Sequence, residues 1–115
     1  MNSGIQWKKQ YKKEIEQAIS ARAQGNEGMA RVCARRAAGI IIGEYLLRGG
    51  HPSLSNSAYE RLSIFNSLPD VDPVYKNIAN HFLLKVNSDR SLPIEADLIC
   101  EVKWLRTNLL AEKQD

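Results

Sequence analysis

The sequence predicts an all-α chain: an up-and-down helical bundle of about five helices, four long and one short, forming a single domain over residues 1–115. Three observations predict it. Apolar residues recur at three- and four-residue intervals in five stretches. Clusters of Gly, Pro, Asn and Ser separate those stretches. A capping residue precedes most of them. The apolar share of 43% and charged share of 25% belong to a globular chain rather than a disordered one. A chain of 115 residues can also bury a core without disulfides or metal.

The first segment runs from about Gln6 to Gln24. Trp7, Tyr11, Ile15, Ala18 and Ile19 keep helical spacing, and Gly25 stops the run. Asn26 then reads as the N-cap of a second helix, with Glu27 in its first turn complementing the dipole. That helix extends to about Arg48 and stops at Gly49-Gly50. It is the most apolar segment and the expected centre of the bundle. Ala30, Ala34, Ala37, Ala38, Gly39 and Gly43 offer small surfaces on which neighbouring helices can approach. The run Ile40-Ile41-Ile42 suits a strand, but its Ala- and Arg-rich flanks contain no turn residue, so it reads as helix.

A Gly-Gly-His-Pro-Ser loop follows. The short third helix is expected from Asn56 to Ser67, ended by Pro69 and lying across one end of the bundle. Asp70 is expected to cap a fourth helix from Val71 to Val86, with Pro73 in its first turn. After the loop Asn87-Ser88-Asp89-Arg90, Ser91 is expected to cap the fifth, with Pro93 and Glu95 in the first turn. Its stripe of Ile94, Leu98, Val102, Leu105 and Leu109 runs to near Glu112.

The net charge of +3 is unevenly spread: residues 1–50 sum to +5 and residues 51–115 to −2. Such asymmetry suits nucleic acid, an acidic partner, head-to-tail association or a plain solvated basic helix. The apolar run Ala37–Leu47 contains Glu44 and is too short to cross a bilayer, so no membrane role is expected. No apolar stretch follows the lysines at positions 8, 9, 12 and 13, which reads as a cytoplasmic chain without a secretory signal. Cys33 and Cys100 are then expected to be reduced and buried. No Cys or His spacing suggests a metal site, and no cofactor motif is present.

Several residues stand out. Arg36 and Glu44 each lie roughly 40° from Ile40 on the apolar side of the second helix. Charges there either pair with other helices or line a groove or subunit interface. Arg31 and Arg35, one turn apart on the opposite side, are either solvated or part of a phosphate-contacting patch with Arg22 and the lysines. His81 flanks the fourth stripe near Asn77 and Asn80; it is either a structural hydrogen-bonder or an acid–base group.

The run from Ala21 to Gly50, ARAQGNEGMARVCARRAAGIIIGEYLLRGG, resembles the first two helices of a HEPN-like domain. His51–Leu62 resembles that family's connection to a short third helix, and Leu92–Leu110 resembles its last helix. The resemblance implies a helical bundle, often a homodimer, sometimes beside a nucleotidyltransferase or in a toxin–antitoxin or defence system. Active members are metal-independent ribonucleases with an Arg followed four to six residues later by His. Here Lys76 stands before His81, and lysine lacks the planar two-pronged grip of arginine on phosphate.

The expected function is therefore a non-enzymatic interaction or dimerisation module, with Arg36 or Glu44 near the interface. The alternatives are an RNA binder or weak ribonuclease using His81 with Lys76, Arg31 and Arg35, and a small-molecule or nucleotide pocket contacted by Asn77, Asn80 and His81.

Overall fold

Helix α1 (Ser3–Ala23) and helix α2 (Glu27–Arg48) form an antiparallel hairpin. The contacts between them run in opposite order along the two helices. Cys33 lies against Gln17, Arg36 against Glu14, and Ile40 and Leu47 share grooves with Gln10 and Gln6. The turn is set by Gly25 at φ +80° and by Asn26, whose side chain accepts the Met29 N–H at 3.0 Å. The computed structural model describes residues 3–51, 56–88 and 91–111. Residues 52–55, 89–90 and the expected helix end at Glu112 lie outside these.

Helix α3 (Ala58–Ser67) packs along the second half of α2 rather than across the end of the bundle. Two glycines cause this. A Cβ on Gly39 would sit 2.6 Å from the Ala58 Cβ, and one on Gly43 would sit 2.6 Å from the Arg61 guanidinium. At Gly39 the obstacle is Ala58 Cβ and Cα, so only glycine leaves room for the α3 backbone, whereas at Gly43 it is the movable end of Arg61. Further along, Tyr45 meets Phe65 edge to face, with centroids 5.4 Å apart. Ser57 caps α3 by accepting the Glu60 N–H, and Leu68, extended before Pro69, ends it.

Helix α4 (Pro73–His81) is shorter than its apolar pattern predicts. Asp72, not Asp70, caps it by accepting the Val74 N–H at 2.9 Å, which places Pro73 at the first helical position. The helix stops five residues before Val86. In a longer helix the Phe82 carbonyl would accept the Val86 N–H; instead it accepts Arg35 Nε at 3.0 Å. A tertiary hydrogen bond has replaced a helical one.

Helix α5 (Leu98–Leu109) starts later than predicted. Ser91 does not cap it, because its carbonyl accepts the Asn87 N–H at 2.7 Å and its hydroxyl accepts Asn87 Nδ2 at 3.2 Å. Asp97 is the cap and accepts the N–H groups of Ile99 and Cys100. Pro93, Ile94 and Glu95 therefore precede the helix, and Ile94 is exposed instead of extending the inner stripe.

The core is centred on α2, where Ile41, Ile42 and Leu46 are fully buried in one cluster with Leu62 and Phe65 of α3, Phe82 just after α4, and Leu105 further along the chain. Cys33 joins it, but Cys100 is exposed, contrary to expectation, because it lies on the side of α5 opposite the buried Leu98, Val102 and Leu105. Arg106 is the one buried charged residue among those described, at 4% exposure. Its guanidinium stacks over the rings of Trp7 and Tyr11, at 5.6 and 5.0 Å from their centroids, and so fastens α5 to α1. Among the described residues, no helix is long and apolar enough to cross a membrane.

Candidate functional site

The hairpin of α1 and α2 and the close packing of α3 on α2 leave a groove over the outward side of α2. Its floor is Gly39, Ile40 and Gly43. Gln6, Gln10 and Glu14 wall it from α1, and Asn56, Ala58 and Arg61 from the α3 side. Two adjoining cavities make it up, of about 590 and 210 Å³, and both are lined by Gln10, Ile40 and Arg61. From Arg36 at one end to Leu47 at the other, the floor runs about 16 Å along α2.

Small residues on α2 shape this groove. Gly39 admits the α3 backbone, and its carbonyl accepts Arg61 Nη1 at 3.2 Å. Gly43 leaves room for the flat guanidinium of Arg61 itself. Partial burial there lowers the pKa of Arg61 from its usual value. A guanidinium keeps its charge in proteins, so the groove holds a partly desolvated positive charge.

Arg36 and Glu44 both line the groove, one in each cavity. They do not pair with each other. Glu44 is bound by Arg48 on its own helix at 2.8 Å. Arg36 points outward, with its side chain 56% exposed, rather than into the core. Its nearest carboxylate oxygen is Glu14 Oε1 at 3.9 Å, too long for a hydrogen bond. That oxygen is buried and accepts no hydrogen bond from the described residues. Burial pushes the neighbouring Cys33 thiol up, with the Glu14 carboxylate adding to the shift, so Cys33 is not a reactive thiolate.

The other predicted residues lie elsewhere. Asn77 and His81 belong to α4, which lines neither cavity. Asn77 is exposed and Lys76 half-buried. His81 has a partner that sequence spacing did not reveal: its Nδ1 donates to Glu101 on α5, 2.9 and 3.1 Å from the two carboxylate oxygens. Arg31 and Arg35 are half-buried rather than open to solvent, and Arg35 is engaged by the Phe82 carbonyl. Arg22 joins an ion cluster, donating to Glu27 and to Asp97 across the bundle. Among the described residues, no group of three or more His, Cys, Asp or Glu could hold a metal ion.

A second groove of about 240 Å³ lies between α1 and α5, where Lys12 and Lys103 flank Ile15 and Ile19. It is less than half the volume of the larger cavity.

Gln10, Glu14 and Arg61 were not singled out from sequence. The pair Gly39 and Gly43, one turn apart, signals that some element packs there, but identifies neither α3 nor Arg61. Compared with known proteins, the chain matches no family model, no curated protein and no solved structure.

Proposed function

We propose that the chain is a non-enzymatic protein-interaction module whose binding face is the groove between α1, α2 and α3, and that it self-associates as a homodimer. The observation that carries the reading is the continuity of that groove. Two cavities meet over Ile40 and place Gln10, Arg36, Glu44 and Arg61 on one recessed surface. A recess rich in amide and guanidinium groups, with half-buried Ile40 on its floor and Leu47 56% exposed at its end, suits protein contact. The resemblance to HEPN-like domains supports the same reading and suggests a nucleotidyltransferase as one class of partner.

Size-exclusion chromatography with light scattering tests the homodimer directly. The expected result is a dimer at micromolar concentration that Leu47→Glu converts to monomer without loss of helical signal. Monomer alone at that concentration removes the homodimer from the reading.

The contact of Glu101 with His81 favours a second reading, an RNA-directed enzyme. A carboxylate that holds one ring nitrogen fixes the tautomer and orients the other nitrogen, as acid–base chemistry requires. Cleavage of a single-stranded RNA by the wild-type chain, lost in His81→Ala, is its expected signature. Cleavage that survives the substitution excludes His81 as the catalyst.

A further inference from the structure

Helices α4 and α5 carry an aromatic pair that lines none of the grooves described above. Tyr75 lies against Trp104, with ring centroids 5.5 Å and planes 41° apart. Trp104 is 38% exposed, whereas the other tryptophan, Trp7, is buried. The two helices run antiparallel here. Tyr75, near the start of α4, meets Trp104, and His81, at the end of α4, meets Glu101, about one turn earlier on α5. Glu101 and Trp104 are therefore about 4.5 Å apart along the helix axis, so the ring pair adjoins the imidazole–carboxylate pair. Exposed Val74 and Asn77 flank Tyr75 in α4, and exposed Asn108 lies about one turn beyond Trp104.

The size of the open ring surface selects the occupant. A tryptophan side chain buries up to about 250 Å² when covered, so 38% exposure leaves roughly 90 Å². A stable protein interface takes about 800 Å² from each partner around an apolar centre, and here Asn77, Glu101 and Asn108 lie close to the rings. One flat ring stacked on the indole covers about what is open. Tyr75 packs against the indole and limits its rotation, so stacking costs little further side-chain entropy. The neighbouring imidazole supplies a hydrogen-bonding group. Its Nδ1 donates to Glu101, so the neutral ring presents Nε2 as an acceptor. A flat ring with a donor on its edge answers both features, as does a nucleobase with an exocyclic amine. A neutral sugar also stacks, but the net charge of +3 and Lys76, next to Tyr75, favour an anionic chain.

We infer that the face formed by α4 and α5 binds single-stranded nucleic acid, with one base stacked on Trp104 and its exocyclic amine donating to His81 Nε2. Adenine and cytosine carry that amine, whereas uracil and thymine present a carbonyl there. The site stands apart from the groove between α1, α2 and α3, and it requires no catalysis by His81.

Fluorescence and NMR titrations of the full ¹⁵N-labelled chain test this. The probes are eight-residue single strands of deoxycytidine, of deoxyuridine and of abasic deoxyribose phosphate, and a neutral glucose oligosaccharide. The deoxyribose strands lack a 2′-hydroxyl, so binding is read without cleavage through that group. The cytidine strand should quench Trp104 and shift its indole N–H signal, leaving that of buried Trp7 in place. It should bind about tenfold more tightly than the abasic strand, the effect of one stacked base. It should bind about fivefold more tightly than the uridine strand, the effect of one hydrogen bond. Trp104→Ala should remove the preference over the abasic strand, and Trp104→Phe should keep most of it. His81→Ala should remove only the preference for cytidine over uridine. The strands are compared on the wild-type chain, so the outcome does not depend on a variant folding. Equal binding of the cytidine and abasic strands overturns the stacking site. Equal binding of the cytidine and uridine strands overturns the contact with His81. Tighter binding by the oligosaccharide, or no movement of the Trp104 signal with any probe, overturns nucleic acid as the occupant.

Discussion

Gly39→Ala should destabilise the protein although alanine is the better helix former. In an exposed helix interior, glycine to alanine gains up to about 1 kcal/mol. At Gly39 the new Cβ would lie 2.6 Å from the Ala58 Cβ and 2.8 Å from the Ala58 Cα. Ordinary contact begins near 3.4 Å, so α3 must retreat by about 1 Å, and the obstacle is backbone rather than a movable side chain. Overpacking of this kind costs typically 1–3 kcal/mol, which offsets the propensity gain and leaves a net loss of up to about 2 kcal/mol. Gly28→Ala is the control. It lies on the same helix, and its Cβ would meet only Asn26 Oδ1 at 3.8 Å, so it should be neutral or stabilising. The two variants should therefore differ by at least about 1 kcal/mol, or about 3–6 °C in Tm for a domain of this size. Urea and thermal unfolding followed by circular dichroism measure both. Equal stabilisation by the two substitutions would refute the close packing of α3 on α2, and with it the groove that this packing forms.

Arg106→Ala should cost about 2–4 kcal/mol in urea unfolding, because it removes two stacking contacts and leaves a cavity beside Trp7 and Tyr11; Arg106→Lys should cost less but still destabilise, since an ammonium cannot stack as a plane. Asp97→Ala should lower stability by about 0.5–2 kcal/mol through loss of the α5 cap, whereas Ser91→Ala should have a smaller effect, and the reverse order would restore the earlier helix start. The Arg22 cluster should make stability depend on acid. The Arg22 hydrogen bond holds the Glu27 carboxyl below its usual range. Burial raises Asp97, but the Cys100 N–H and Arg22 outweigh it and leave that carboxyl lowered too. Both carboxylates thus stabilise the fold above their unfolded values, and the contribution disappears as pH falls through the lower folded values. These are half-exposed pairs, so Arg22→Gln should cost only about 0.2–1 kcal/mol per pair at pH 7. The difference from wild type should vanish once the pH has fallen below both folded carboxyl values; a constant difference through that fall would show that Arg22 acts by packing.

Within single segments, the sequence determined most of the architecture. The helical periodicity of α1 and α2, the Asn26 cap and the Gly25 stop are relations between residues three or four apart, and such relations are complete in the chain itself. The small residues of α2 likewise announced close packing. Arg36 and Glu44 were legible as charges on an otherwise apolar side, and the groove they line was one of the alternatives this implied.

The tertiary structure alone decided where segments meet. Helix α4 ends at His81 because Arg35, distant in sequence, takes the Phe82 carbonyl, and α5 begins at Leu98 because Asn87 occupies Ser91 and Arg22 helps to hold Asp97. The pairing of His81 with Glu101, the place of Arg106 between two rings and the position of Arg61 over Gly43 have the same origin. A local pattern states which face of a helix is apolar. It does not state which residue of another helix will lie against a given turn, because that choice depends on all the helix faces being packed together at once.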